Sequence, residues 1–297
     1  NPEKMLFYRS MGINRISFGI QDLDLEVQKA VNRIQPDSLV RKFLVPEIRS
    51  LFPNGVNFDV MGGLPNQTQE SFRATMEKVI DLSPDRISLL QMSLVPKHSP
   101  HQLLMPLDKV PSNYEMKLLF IDALEMLANN GYIRTGYDHF AKPSDSVAKA
   151  RSEGKMTWGY FGSSPGRYTD VLGIGISAYS QLGPYYYSQN FYELDNWQQA
   201  ITKKTFPLYR GHKLSDDDVI RRAVIQILRN YFAIKYEDVE SRYGLNFRDY
   251  FRKELTMMSL FSEDGLVELK LDGFEMTEFG SLFADFIAGK FDAYVHK

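Results

Sequence analysis

The chain has 297 residues, of which 43% are hydrophobic and 24% charged, and its formal net charge is -2. This composition is typical of a globular protein with a sizeable core, long enough for one large domain and a smaller one. The near-neutral charge argues against bulk attraction to nucleic acid or an anionic membrane surface, and no apolar run reaches the roughly 18–20 residues of a membrane span. The absence of cysteine excludes disulfides, zinc-thiolate sites and thiolate nucleophiles among these residues. We expect a cytoplasmic location.

The chain opens with a helix end. Residues 3–12 are typical of a helix that stops at Gly12, with no initiator methionine and no leading strand before it. We therefore expect residue 1 to be a truncation point within a longer protein.

Two predicted strands each run into a turn and then into a helix. Residues 14–21 and 56–61 alternate apolar and polar side chains, which is typical of strands with one buried face. Polar residues lie near their carboxyl ends, Gln21 in the first strand and Asp59 in the second. The apolar faces should pack on helices, and the polar faces should line a barrel or crevice.

Strands and helices continue to alternate as far as residue 137. Further strands are predicted at 85–95 and 132–137, separated by a helix that opens at a capping box of Ser112 with Glu115. Other helices are predicted near 24–33 and 37–51 and after an N-cap at Thr68. This order predicts a parallel sheet, closed or partly closed, with its site at the carboxyl ends of the strands.

The second half of the chain has a different rhythm. The stretch 143–190 is rich in Gly, Ser and Tyr, which predicts loops with short strands. Three helices, a two-stranded ribbon and a terminal helix follow, and this arrangement is similar to a winged-helix module. The helices are predicted at 215–233, 236–243 and 246–259, and the ribbon at 265–277. Residues 214–297 hold 11 Lys and Arg against 16 Asp and Glu, a net charge of -5, so we expect a packing domain and no nucleic-acid partner.

Four segments, in this order and spacing, carry a resemblance to a known family. They are GINRISFGIQDLDLEVQKAVNRIQP, FDVMGGLPNQTQESF, SPDRISLLQMSLVP and GYDHFAKP. Over essentially the whole chain, the sequence resembles the radical S-adenosylmethionine (SAM) enzymes of the oxygen-independent coproporphyrinogen III oxidase family. Asn1-Pro2 is similar to the end of that family's Glu-x-Asn-Pro motif on the third barrel strand.

The resemblance implies an α/β fold in two parts. The first would be a partial (β/α)6 TIM-like barrel that lacks its first strands here, and the second a small C-terminal winged-helix-like α+β domain. We expect the barrel and its extension to span 1–195 and the C-terminal domain to span 196–297.

The resemblance also implies cofactors and partners. A [4Fe–4S] cluster would be ligated by a CxxxCxxC loop upstream of this chain, so no metal ligand is expected within it. Electron transfer from the cluster would cleave SAM to a 5′-deoxyadenosyl radical, which removes hydrogen from the substrate. The expected partners are a tetrapyrrole or other planar aromatic substrate and a reductase or flavodoxin-type electron donor.

Three residues match the family's SAM-binding positions. Gln21 is an amide that can donate to and accept from ribose hydroxyls or the methionine part of SAM, and the alternative is a solvated amide at the end of a strand. The Arg33 guanidinium suits a two-pronged contact with the SAM carboxylate, although an arginine at a helix end also stabilises the helix dipole. Asp59 offers an acceptor for hydroxyl or amine groups, or alternatively a structural ion pair.

Two glycine segments match further family positions near the cofactor. Gly62 and Gly63 would let the backbone approach a ligand, or would simply permit a tight turn. Gly173, Gly175 and Ala178 match a Gly-x-Gly-x-Ser-Ala-x-Ser segment whose small residues would admit the cofactor or substrate.

One histidine is a candidate catalytic residue. His139 lies in DHFAKP, which is similar to the family's Asp-His-Phe-Ala-Arg-Pro, and it would position a substrate carboxylate or assist a proton transfer. A structural role for this histidine stays open. His98 and His101 have a metal-ligand spacing, but nothing nearby completes a set, so we interpret them as parts of a polar loop.

The expected reaction is the oxidative decarboxylation of two propionates of coproporphyrinogen III to vinyls in anaerobic heme biosynthesis. Two segments depart from the family: Met92-Ser93-Leu94 replaces a Tyr-Ala-His-type segment, and 158–164 replaces a Gln-Gly-Tyr-Thr-Thr segment. Both would lie near the substrate or a second SAM, so a radical methyltransferase, a heme-degrading enzyme and a heme-binding chaperone are alternatives. The DHFAKP segment and the extended C-terminal domain favour the oxidase-like branch over the chaperone.

Overall fold

The computed structural model describes residues 2–43, 46–53, 55–97, 99–159, 162–166 and 170–295. The chain divides into two compact units, 1–153 and 154–297. The division expected from the sequence, at 195/196, stays a prediction.

The first unit alternates helices and strands over most of its length. Its strands are β1 (Ile16–Gln21), β2 (Val56–Gly62), β3 (Arg86–Gln91), β4 (Ile133–Arg134) and β5 (His139–Ala141). Its helices are α1 (Pro2–Ser10), α2 (Leu25–Ala30), α3 (Asp37–Phe43), α4 (Pro46–Leu51), α5 (Gln69–Leu82), α6 (Asn113–Asn129) and α7 (Ser146–Ser152). Two short 3-10 helices, Pro100–Leu104 and Leu107–Lys109, precede α6.

Local sequence determines where the two longest helices of this unit begin. At α5 the side chains of Thr68 and Ser71 each accept a hydrogen bond from the other's backbone N–H. Ser112 and Glu115 do the same at α6. Each pair satisfies backbone N–H groups that have no partner within the helix. Both predicted helix starts are confirmed.

The sheet of the first unit has the strand order β1-β2-β3-β5-β4. β1, β2 and β3 are parallel, whereas β5 is antiparallel to both β3 and β4. The predicted parallel sheet is confirmed for three strands, but the prediction of one strand at 132–137 is wrong. The chain turns back there, because the Thr135 N–H donates to the carbonyl oxygen of His139 at 2.8 Å.

The two faces of this sheet differ in chemistry. One face is apolar and buried, and its side chains are Phe58, Val60, Ile87, Leu89 and Phe140. Helices α5 and α6 pack on one another and α6 contacts β2; their buried side chains are chiefly Phe72, Met76, Val79, Leu119 and Leu127. Burial of one such side chain stabilises the fold by about 1.5–3 kcal/mol, so the apolar face fixes the orientation of every strand. The polar residues at alternate positions therefore share the opposite face.

The second unit contains three small sheets and seven α-helices among its described residues. Its strands are β6 (Met156–Gly159), β7 (Gly162–Pro165), β8 (Tyr179–Leu182), β9 (Tyr186–Asn190), β10 (Leu208–Lys213), β11 (Ala233–Lys235), β12 (Val267–Lys270) and β13 (Gly273–Met276). Its helices are α8 (Leu194–Thr202), α9 (Asp216–Tyr231), α10 (Tyr236–Tyr243), α11 (Phe247–Tyr250), α12 (Arg252–Glu263), α13 (Glu278–Ser281) and α14 (Ala284–Ala288). The sheets are the β6-β7 hairpin, β10-β9-β8 and β11-β13-β12.

Aromatic rings form the centre of the C-terminal part. Phe247 stacks on Tyr236 at 4.6 Å between centroids and contacts Phe251 at 4.7 Å. Phe274 and Phe291 complete a fully buried group. The three predicted helices and the ribbon are confirmed, except that the third helix is divided at Phe251 and β11 joins the ribbon.

The described part of the chain contains no helix with both the length and the apolar character to cross a membrane.

Candidate functional site

Gln21 ends β1 in a strained conformation. Its φ is +64°, and the Asp22 N–H donates to the carbonyl oxygen of Ile20 at 2.9 Å across it. The pairing of β1 with β2 is irregular at the same point, since Gly19 pairs with Asp59 but Gln21 pairs with Val60. A left-handed conformation costs a residue other than glycine about 1–2 kcal/mol, and such strain concentrates at functional sites.

The side-chain oxygen of Gln21 is a second unusual feature. Oε1 is buried, and among the residues that the structure describes it has no hydrogen-bond partner. A buried acceptor without a donor costs about 1–3 kcal/mol. Strain and an orphaned acceptor at one residue together indicate a position shaped for a ligand.

Arg33 lies beside Gln21. Its Nη2 donates to the Gly19 carbonyl oxygen at 2.8 Å, and its Nε donates to Gln35 Oε1 at 3.3 Å. A Cβ built on Gly19 would stand 2.7 Å from Gln21 Nε2 and 3.1 Å from Arg33 Nη2. The amide and the guanidinium therefore meet directly over Gly19, where a side chain would displace both.

Asp59 belongs to a row of residues that crosses four strands. In the sheet register Gly19 pairs with Asp59, Asp59 with Ser88, and Ser88 with His139. Directly paired residues project to the same face of a sheet. Asp59 and His139 therefore share one polar face, and the side chains of Gln21 and Arg33, which lie over Gly19, stand at the β1 end of the same row.

The Asp59 carboxylate is held by hydrogen bonds from its neighbours. Ser17 Oγ donates to Oδ2 at 2.9 Å, and Asn57 Nδ2 donates to Oδ1 at 2.7 Å. Asn57 Nδ2 also lies 2.8 Å from Ser17 Oγ and 3.0 Å from Ser88 Oγ. These contacts fix the carboxylate while leaving lone pairs for a further donor.

His139 is oriented by the residue before it. Its Nδ1 lies 2.6 Å from Asp138 Oδ1, and both side chains are largely buried. A carboxylate at Nδ1 places the ring proton there and leaves Nε2 as the atom that can accept a proton. This geometry suits a proton-transfer or carboxylate-positioning role, which stays a prediction.

Gly62 and Gly63 form the turn that ends β2. Gly63 has a φ of +91°, which favours glycine, and a Cβ there would also displace the flexible Met116 side chain. Its N–H is already donated to Gln67 Oε1 at 2.6 Å, so this N–H is not directed to a ligand. A contribution of either glycine to cofactor binding stays a prediction.

Gly173, Gly175 and Ala178 form a loop of the second unit. A Cβ on Gly173 would collide with the Tyr179 carbonyl oxygen. Asn190 Nδ2 donates to the Gly175 carbonyl oxygen at 2.8 Å, and its backbone N–H donates to that of Ala178 at 2.9 Å. The small residues thus allow the loop to close around a buried asparagine.

Several residues of the site did not stand out from the sequence. Ser88 and Asn57 become part of it only through the strand register. Asp22 and Gln67 are both buried and join the turns after β1 and β2, with Gln67 Nε2 donating to Asp22 Oδ2 at 2.6 Å. Burial raises the pKa of the Asp22 carboxyl, and the hydrogen bonds that it accepts from Asp24, Gln67 and Thr75 partly offset this rise.

The described residues contain no group of three or more His, Asp or Glu side chains that could hold a metal ion. Of the two loop histidines, His98 lies outside the described residues, as do Tyr160 and Phe161 of the segment 158–164.

Comparisons with known proteins agree with the resemblance predicted from the sequence. The HemN C-terminal domain family matches residues 214–283. The oxygen-independent coproporphyrinogen III oxidase of Pseudomonas aeruginosa is 37% identical over 287 residues, which cover 97% of this chain and 62% of that protein. The protein of the same name from Thermostichus vulcanus is 33% identical over 298 residues, which cover 100% of this chain and 91% of that protein.

A solved structure is also similar. The structure described as "Coproporphyrinogen III oxidase (HemN) from Escherichia coli is a Radical SAM enzyme" matches with a TM-score of 0.89 and 34% identity, over 99% of this chain and 67% of that chain. The chain spans 62% of the length of the first curated relatives. The predicted family and the α/β fold are confirmed: the chain belongs to the oxygen-independent coproporphyrinogen III oxidase family.

Proposed function

We propose that this chain is the SAM-binding part of a radical SAM oxidoreductase that acts as a coproporphyrinogen III oxidase. The observation that carries the proposal is the buried, orphaned Oε1 of the strained Gln21, directly beside the Arg33 guanidinium at the end of β1. The names of the relatives support the same activity.

The residues present fit SAM by their chemistry. SAM carries a carboxylate, an ammonium group and ribose hydroxyls. The planar Arg33 fork suits the carboxylate, and Gln21 Oε1 suits an N–H or O–H donor. Asp59, already fixed by Ser17 and Asn57, suits a second hydroxyl or ammonium donor.

The finer architecture belongs to the proposal as well. We interpret β1, β2 and β3 as the later strands of a partial (β/α)6 barrel, and residues 196–297 as a C-terminal winged-helix-like domain. The chain contains no cysteine, so the [4Fe–4S] cluster would be ligated by a cysteine loop upstream in the longer protein. A flavodoxin-type donor would supply electrons, in the cytoplasm.

The cofactors would supply the one-electron chemistry that removes a hydrogen atom from each reacting propionate. A propionate becomes a vinyl group by losing one hydrogen atom, which the SAM-derived radical would take up, together with CO₂ and one electron, which would pass to an electron acceptor outside this chain. This chain's own residues would bind the cofactor and orient the substrate. Gln21, Arg33 and Asp59 would fix the cofactor, and His139, oriented by Asp138, would hold a substrate carboxylate or accept a proton at Nε2.

One assay tests the proposal. The full-length protein that contains this chain is reconstituted with its cluster without oxygen and given SAM, a reductant and coproporphyrinogen III. We expect protoporphyrinogen together with CO₂. A methylated or ring-opened product, or tight heme binding without turnover, would instead support one of the alternative functions.

A further inference from the structure

The buried amide of Gln67 holds the turn that follows β2. Its Oε1 accepts from the backbone N–H groups of Gly63 at 2.6 Å and Leu64 at 2.8 Å. Its Nε2 donates to the Met61 carbonyl oxygen at 2.8 Å and to Asp22 Oδ2 at 2.6 Å. If the amide were rotated by 180°, its NH₂ group would face the N–H donors of Gly63 and Leu64. The contacts therefore define the orientation of the amide. The whole hydrogen-bonding capacity of this side chain is therefore used.

Asp22 connects that turn to the end of β1. It is 1% exposed, and its Oδ1 accepts from the Asp24 N–H at 2.6 Å and from Thr75 Oγ1 at 2.8 Å. With the Gln67 contact, its carboxylate is anchored to α5 and to the β2 turn at once. Asp22 directly follows Gln21, so it anchors one side of the strained peptide.

Gln28 extends the connection to Arg33. Its Nε2 donates to the Asp22 carbonyl oxygen and to the Gln35 carbonyl oxygen, both at 2.8 Å. The Arg33 N–H donates to the Gln28 carbonyl oxygen at 2.9 Å. One buried hydrogen-bond network, made of Asp22, Gln28, Gln67 and Thr75, thus reaches the backbones that carry Gln21, Arg33 and Gly63.

We propose that Asp22 and Gln67 are positioning residues for the proposed SAM-binding residues Gln21 and Arg33. Neither needs to touch the ligand: they keep the left-handed backbone of Gln21 in place and keep the β2 turn in a fixed relation to it. A strained conformation persists only where its surroundings over-determine it, and this pair supplies that constraint. The proposal rests on the proposed SAM-binding function of Gln21 and Arg33.

The first test replaces the Gln67 donor that faces Asp22 with an acceptor. Gln67→Glu in the full-length, cluster-loaded protein places two carboxylates in contact, so one of them holds a proton with a raised pKa. At high pH we expect SAM affinity, measured by equilibrium dialysis, to fall about tenfold or more relative to wild type. As the pH falls, the protonated acid donates the missing hydrogen bond, so the affinity ratio should return towards one. A ratio near one at every pH would overturn the proposal.

The second test exchanges donor and acceptor. Asp22→Asn alone sets two N–H donors against each other, whereas Asp22→Asn with Gln67→Glu again pairs a donor with an acceptor. We expect the double variant to bind SAM more tightly than either single variant. A double variant no better than the worse single variant would show that the direct contact does not matter.

A third measurement is independent of SAM. Hydrogen exchange without ligand should speed up at the amides of residues 20–24 and 61–67 in Gln67→Glu. It should stay unchanged in the control Gln199→Glu, which makes the same change at an exposed position of α8. Unchanged exchange in Gln67→Glu contradicts the positioning role. If wild type binds no SAM while exchange responds as expected, the proposed function fails but the constraint on Gln21 stands.

Discussion

The strand ends of the first unit and the C-terminal module of the second use their buried groups differently. Around Gln21 the turns are connected by buried polar side chains, which are the amides of Gln28 and Gln67, the Thr75 hydroxyl and the Asp22 carboxylate. At the centre of the C-terminal module they are rings, chiefly Phe247, Phe251, Phe274 and Phe291. Hydrogen bonds are directional and fix position, whereas buried apolar area is non-directional and supplies stability. Directional contacts between polar groups therefore position the site residues, whereas the buried rings chiefly stabilise the fold.

The largest expected effect tests the aromatic side of this comparison. Phe247→Ala should lower the free energy of unfolding by about 3–5 kcal/mol, because it removes a fully buried ring from contacts with Tyr236 and Phe251. Denaturant titration followed by circular dichroism measures it. The control Leu271→Ala changes a side chain that is 94% exposed and should change little. A similarly small loss of stability in both variants would show that the buried rings do not supply the stability of this part of the chain.

Arg33 tests the other side. Arg33→Gln should weaken SAM binding by about 1.5–3 kcal/mol, or about ten- to a hundredfold, because a charge-assisted contact is lost. Stability should hardly change, since Arg33 is exposed. The control Arg41→Gln removes an exposed arginine paired with Asp37 and Asp81, and its SAM affinity should match wild type. Isothermal titration of both variants decides between a binding role and a helix-end role.

Two substitutions of Gln21 separate its effect on SAM binding from its effect on the stability of the fold. Gln21→Ala and Gln21→Gly both remove the amide, so both should lose SAM affinity to a similar extent. Only glycine accepts a φ of +64° without strain. We expect the glycine variant to be about 1 kcal/mol more stable than the alanine variant. Thermal unfolding of the two compares them, and equal stability would mean that the backbone there is not strained.

The smallest expected effect is a pH dependence from Asp22. Burial raises its pKa in the folded protein above the ordinary value of 3.8, so the folded state binds this proton more tightly than the unfolded state. Its contribution to stability therefore falls as the pH rises from 3.8 through the raised pKa. Asp22→Asn has no carboxyl group to titrate there, so the difference in the free energy of unfolding between wild type and Asp22→Asn should narrow as the pH rises over that window. A widening gap would contradict the raised pKa.

Much of the fold could be predicted because its signals are local. Alternation located β1 and β2, and the capping residues Thr68 and Ser112 located α5 and α6. The direction of β5 could not be predicted, because a three-residue strand carries almost no pattern and its pairing depends on the turn at Thr135.

The candidate site was predictable only in part, for a similar reason. Gln21, Arg33 and Asp59 followed from the family resemblance. A buried glutamine in a turn, such as Gln67, is indistinguishable in sequence from a solvated one. Its role depends on Asp22, 45 residues away along the chain.

The place of His139 in the row that begins at Gly19 depends on the length of the turn that precedes β5. β5 contributes only three residues, which pair with β4 across the chain reversal at 135–138 and with β3 on their other side. Side chains alternate between faces, so an inserted or deleted residue in that reversal that shifted β5 by one position would move the imidazole to the apolar face and Phe140 to the polar face. Homologous chains that keep the histidine's role should therefore tolerate substitutions in this turn far better than changes of its length.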